Sequence, residues 1–192
     1  MLSLLKSIMA ALVGAGLGLW TAWAALERET AFDVVRAGPW RSTPKAAFVT
    51  ADPYTRAALA RSGQVPLSPG EGLTFTAETD ETGAPLVTRC DYIIASPIPA
   101  ARFWTLTPLT DKGALATTAN GGTGLTSAEI VRDSSGRFEI LAARHARPGN
   151  WLALPSEPAF TLALRLYDTP ASSLASAMSA GQLPTLRKER CS

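Results

Sequence analysis

Six side chains in this 192-residue sequence are of types that recognise sugars, headgroups or anions: Arg102, Trp104, Asn150, Trp151, Arg165 and Tyr167. A guanidinium makes bidentate and stacked contacts, and indole and phenol rings offer it flat faces. Arg102 and Trp104 stand two apart in "ARFWTLTPLT", as Arg165 and Tyr167 do in "FTLALRLYD", and residues two apart share one face of a strand. If those strands are neighbours, the spacing predicts an Arg/aromatic surface, a shallow pocket for a sugar, polar headgroup or anionic ligand. The competing reading makes Trp104 and Trp151 core packing and leaves the arginines solvated or bonded to loop carbonyls.

Other groups promise less. His145 is the sole imidazole, so a multi-His metal site is excluded, and no metal or cofactor is expected. It sits in "RHARPGNW" between Arg144 and Arg147, and no Gly-x-Ser-x-Gly elbow accompanies it. Asp80 and Glu81 fall in a turn sequence, where Asp serves the backbone. "NGGTG" lacks the Lys and following helix of a phosphate loop. Cys90 and Cys191 match no metal or redox spacing. In an oxidising compartment they form a structural disulfide that pins the C-terminal end, the alternative being two unpaired thiols.

The compartment is read from the N-terminus. Ser7 to Leu26 carries no charge for 20 residues, about 30 Å of helix and one hydrocarbon thickness. Trp20 and Trp23 fall near its end, where indoles favour the headgroup region. Lys6 precedes the span and "ERE" follows it, which orients the N-terminus to the cytoplasm and the rest outward. The expectation is a single-pass inner-membrane protein with a periplasmic domain. The alternative is a cleaved signal peptide, because "AWA" at 22–24 suits cleavage, leaving a secreted or periplasmic chain. With 18 Lys+Arg against 16 Asp+Glu, and "RKER" the densest basic run, nucleic acid is not expected as a partner.

The elements that must position these groups are mostly strands. Residues 1–29 read as anchor and flank, 30–50 as a connector laying Phe32, Val34 and Trp40 onto the domain, and 51–192 as one β-sandwich domain. "ADPYTRAALARSG" predicts a short helix with Asp52 as N-cap, Pro53 first and Gly63 as stop. Its face of Tyr54, Ala57, Ala58 and Arg61 is the one to dock. Alternation then predicts strands in "LTFTAET", "LVTRCDYII", "RFWTLTPLT", "ALATT", "RFEILAAR" and "FTLALRLYD", with "LPTLRKER" closing the chain. "ASSLASAMSAG" suggests another short helix. Short strands between turn signals predict a mainly β protein, an antiparallel sandwich of jelly-roll-like form with one or two short helices behind an N-terminal transmembrane helix.

The run "CDY…P…ARFWTLTPLTDKGAL…N", "RDSSGRFEI", "NWLALP" and "FTLALRLYDTP" resembles domain-of-unknown-function family 1214, over about Asp52 to Leu186. "DPYTRAALARSG" resembles the helix that short, membrane-anchored members carry upstream. The resemblance implies a jelly-roll-type sandwich in an exported Gram-negative envelope protein. It also implies a partner of unknown-function family 1254, fused ahead or encoded separately. It brings no established reaction, and "NGGTGLTS" lacks the basic and aromatic residues usual there. Two functions follow as expectations: a tethered module that binds an envelope partner or ligand, or a hydrolase using a carboxylate and Arg in the aromatic pocket. The first is preferred, because no usable nucleophile–base pair is legible.

Overall fold

Period-two alternation becomes strands in the computed structural model, which describes residues 2–27, 34–48, 50–62, 66–68, 70–111, 113–118, 121–170 and 179–191. In chain order they are β1 (Val35–Ala37), β2 (Trp40–Ser42), β3 (Gly72–Ala77), β4 (Cys90–Ala95), β5 (Phe103–Thr110), β6 (Leu125–Thr126), β7 (Glu139–Ala143), β8 (Asn150–Ala153), β9 (Phe160–Tyr167) and β10 (Thr185–Cys191). The helices are α1 (Leu2–Glu27) and α2 (Pro53–Ser62). One sheet has the order β1-β2-β3-β9-β5-β6 and the other β10-β4-β7-β8.

The two sheets share one core. Leu162, Leu164 and Leu166 alternate along β9 and are fully buried. They meet Tyr92 and Ile94 of β4, Ile140 of β7 and Leu186 of β10 in a single apolar cluster. Across the layers the Tyr92 ring stands edge-on to Phe160 at 5.7 Å. The Tyr92 hydroxyl accepts the Val87 N–H at 2.9 Å, so its polar end is satisfied inside. The expected sandwich is therefore present.

Several details differ from the sequence reading. The 30–50 connector contributes the hairpin β1–β2, which pairs with β3 at the sheet edge. Gly38, at φ 61°, makes the turn, and buried Trp40 donates its indole N–H to the Pro184 carbonyl at 2.7 Å. "ALATT" forms only isolated bridges, Leu115 to Leu109 and Thr118 to Pro155. The antiparallel expectation fails at one pair, since β7 and β8 run parallel. Both are so short that the six-residue loop 144–149 suffices to bring the chain back.

α2 begins as expected, with the Asp52 carboxylate accepting the N–H groups of Tyr54 and Thr55 at 3.0 Å each. Its inward face is different. Thr55 is buried and Leu59 half-buried, whereas Tyr54, Ala57, Ala58 and Arg61 are exposed. Asp52 also accepts the Thr55 hydroxyl at 2.5 Å, which draws that face toward the cap. The expectations for Phe32, for the Gly63 stop and for residues 171–178 of the helix in "ASSLASAMSAG" lie outside the described residues, and the end of that segment enters a short 3-10 helix, Ala180–Gln182.

α1 is long and apolar enough over Ser3–Ala25 to cross a membrane, and none of that span is buried in the protein. Leu12, Leu19 and Trp20 stand exposed all around it. This fits an anchor or a signal sequence.

At the far end of the chain, Cys90 and Cys191 are disulfide-bonded, with Cα atoms 3.9 Å apart. The register explains how they meet. Lys188 pairs with Tyr92, but the next pair is Arg190 with Asp91, so Glu189 is a bulge. Without it Glu189 would face Asp91, two like charges, and Cys191 would lie opposite Arg89. With it, Asp91 accepts the Arg190 Nε at 3.0 Å and the Arg147 Nη2 at 2.5 Å.

Burial alone pushes the Asp91 carboxyl up, but the two guanidiniums outweigh it and hold the group below its ordinary value. A carboxylate depressed by folding stabilises the protein above its unfolded value and loses that contribution as pH falls through the folded value. The thermal midpoint is therefore expected to decline below about pH 4, and Asp91→Asn to flatten part of that limb. An acid limb identical in the variant contradicts the assignment.

Candidate functional site

The alternation along β9 sends Arg165 and Tyr167 to the outer face of the six-stranded sheet, opposite the buried leucines. Arg165 lies level with Thr74 on β3 and Thr105 on β5. Tyr167 lies level with Gly72 and Phe103, and its ring is 6.0 Å from that of Phe103. Gly72 is required there, because a Cβ would collide with the Leu166 carbonyl. The strands carrying Arg102–Trp104 and Arg165–Tyr167 are thus neighbours, as the spacing needs.

The six named residues nevertheless fall in four places. β5 starts at Phe103, so the alternation does not reach Arg102. Arg102 sits at a bend, donating its N–H to the Tyr167 and Asp168 carbonyls, with its guanidinium 3.8 Å from the Asp168 carboxylate. Both of those side chains are largely in solvent, so the pair holds little. Trp104 faces inward, level with Leu166, and is buried. It stacks on Phe138 at 5.5 Å and 26°.

Asn150 and Trp151 stand on the other sheet. The Asn150 amide accepts the Val131 N–H at 2.8 Å and donates to the Val131 and Glu139 carbonyls at 2.8 and 2.9 Å. The Trp151 indole donates to the Ala143 carbonyl at 3.0 Å. These bonds fasten the 127–138 loop and the parallel return of the chain.

The stacked pair opens a cleft of about 450 Å³ between the proline-rich 96–101 segment and the 132–138 turn. Trp104 and Phe138 form its floor, with Ile98 and Ala101 beside them and Arg132 and Arg137 at the rim. The Arg132 guanidinium lies 5.0 Å above the Phe138 ring. Its Nη1 donates to the Gly136 carbonyl at 3.1 Å. The turn between the arginines is locked by Asp133, whose carboxylate accepts the N–H groups of Ser135 and Arg137 at 2.8 and 2.9 Å. The hydrogen bond from the Ser135 hydroxyl leads in holding this carboxyl below its ordinary value.

Phe138, Arg132 and Arg137 were not singled out from the sequence. The available signal was two arginines flanking an Asp-Ser-Ser-Gly turn, although nothing local told that Phe138 would meet Trp104. Among the described residues, no group of three or more His, Cys, Asp or Glu side chains is placed to hold a metal ion.

The fold has a counterpart among solved structures. The crystal structure of the VPA0106 protein from Vibrio parahaemolyticus is similar at a TM-score of 0.59 and 19% identity, covering 96% of this chain and 46% of that one. An uncharacterised protein from Burkholderia cenocepacia aligns at 0.42 and 15% identity, covering 95% of this chain and 52% of its own. The chain thus spans about half the length of the solved structures it matches. No curated protein matches the sequence. A family model matches residues 71–171, just over half of the chain, and the chain belongs to that family, the proteins of unknown function called DUF1214.

Proposed function

We propose that the protein is a membrane-tethered, periplasm-facing sandwich that binds a small amphipathic anion in the Trp104–Phe138 cleft. One observation carries this: a guanidinium held over an aromatic ring at the mouth of an apolar-floored cleft. Ile98 and Ala101, beside the buried ring pair, suit a small apolar body, and the arginine rim suits an acidic group attached to it. The bare exposed α1 and the disulfide support tether and compartment. The cleft's lining includes no Asp or Glu among the described residues, which supports binding over carboxylate-assisted hydrolysis.

The test uses the full chain in neutral-lipid nanodiscs titrated with 2-naphthoate, followed by saturation-transfer NMR. Saturable binding is expected, weakened about three- to tenfold by Arg132→Ala. Absence of binding by a folded wild-type protein overturns the reading.

A second site is favoured by the outer face, where Phe103, 37% exposed, and Tyr167 lie beside Arg165. Aromatics and Arg are enriched where partners bind tightly. A separately encoded family-1254 protein is the proposed occupant. The double substitution Arg165→Ala with Tyr167→Ala should reduce its co-purification from gently solubilised membranes while the domain stays folded. An unchanged yield, or unfolding of the variant, removes this reading.

A further inference from the structure

A second hollow, about 420 Å³, lies beside the disulfide at the end of the four-stranded sheet. It is lined by Asp91, Arg144, His145, Arg147 and Arg190 among others, so three guanidiniums gather around one carboxylate, a formal surplus of two positive charges among these arginines and Asp91. Nothing in the sandwich core requires this grouping. Three separate devices create it. The Glu189 bulge aligns Arg190 with Asp91. The short return loop between β7 and β8 delivers Arg144, His145 and Arg147 to the same end. The disulfide then holds the end of β10 against β4.

Asp91 organises the site without neutralising it. One of its oxygens, Oδ2, accepts both the Arg147 Nη2 and the Arg190 Nε, and its side chain is only 14% exposed. Each of these guanidiniums keeps further N–H donors beyond the single contact to Asp91. Arg144 and His145 are exposed at the rim.

We propose that this hollow binds a phosphomonoester. Forked guanidiniums match the oxygens of phosphate and carboxylate alike. The surplus of two positive charges from Arg144, Arg147 and Arg190 against Asp91 matches a dianion better than a monoanionic carboxylate, and the volume leaves room for more than a lone oxyanion. The phosphoryl group belongs either to a soluble monoester or to a phosphatidic acid headgroup. The site is independent of the Trp104 cleft and stands if that reading fails.

The full-length oxidised chain in phosphatidylcholine nanodiscs is titrated calorimetrically with glycerol 3-phosphate, and with acetate for comparison. Saturable binding of the phosphomonoester is expected, weaker at higher salt, and reduced about tenfold by Arg144→Glu or by Arg190→Ala. Arg144 lies exposed on a loop, so its variant tests the site without touching the Asp91 pairs. Repeating the titration with phosphatidic acid in the discs separates the two sources. The apparent affinity drops if the headgroup occupies the hollow and is unchanged if the ligand is soluble. No saturable binding, equal binding of acetate, or affinity unaffected by both variants overturns the proposal.

Discussion

Removing the disulfide by the double substitution Cys90→Ser with Cys191→Ser is expected to destabilise the domain by up to about 4.7 kcal/mol, the loop-closure figure for about 100 residues. The bond closes a loop of sequence separation 101, which contains every strand from β5 to β9. It also fixes the last strand, whose outer half, Arg187 to Cys191, is exposed and has only Leu186 as a fully buried anchor. A loss of that size lowers the thermal midpoint by about 10 °C or more for a domain of this length. Circular dichroism melts check it, with reduced wild type expected to melt like the variant. A shift below about 2 °C would mean that the denatured chain gains nothing from losing the link.

Trp104→Ala is expected to cost about 3–5 kcal/mol, the range for truncating a buried large aromatic. Its indole lies inside the sandwich, stacked on Phe138 and level with Leu166, so the change empties space between the sheets. Tyr167→Ala, on the outer face and half-buried, should cost clearly less, about 1 kcal/mol. Urea unfolding of both variants gives the comparison. Equal costs would place Trp104 outside the core and would undo the floor assigned to the cleft. Phe138→Leu keeps most of the apolar volume and removes the ring beneath Arg132, so it should weaken naphthoate binding at a lower cost in stability than Trp104→Ala.

The contrast between those two residues shows what the sequence made legible. Phe160, Leu162, Leu164 and Leu166 repeat every second position over four turns of the pleat, so β9 and its buried face could be read directly. Arg165 and Tyr167 followed from the same alternation. Trp104 could be read both ways, as part of an Arg/aromatic surface or as core packing, and it is buried, as the core-packing reading had it. Strands of two or three residues, such as β1, β2 and β6, are too short to show a period at all. The parallel β7–β8 pair was hidden for another reason. Parallel neighbours usually need a connection of a dozen or more residues, and here six suffice because β8 is four residues long.

The candidate sites were less legible than the fold. The Trp104–Phe138 contact joins residues 34 positions apart, brought together by sheet packing that no local spacing encodes. The basic hollow depends on a one-residue bulge at Glu189. Read without it, the terminal "RKERC" gives only a mixed-charge strand end. The disulfide was accessible because the sequence has two cysteines, which leave a single intramolecular pairing.

The proposed topology displays the sandwich domain outside the cytoplasm on a retained N-terminal helix. Protease treatment of intact spheroplasts, followed by carbonate extraction and intact-mass measurement of the membrane-bound chain, tests it most directly. The expected result is a full-length chain that stays with the membrane pellet through carbonate and whose domain is reached by protease added from outside. A domain protected until the spheroplasts are lysed would contradict the orientation, and a chain of shortened mass released into the soluble fraction would contradict the tether.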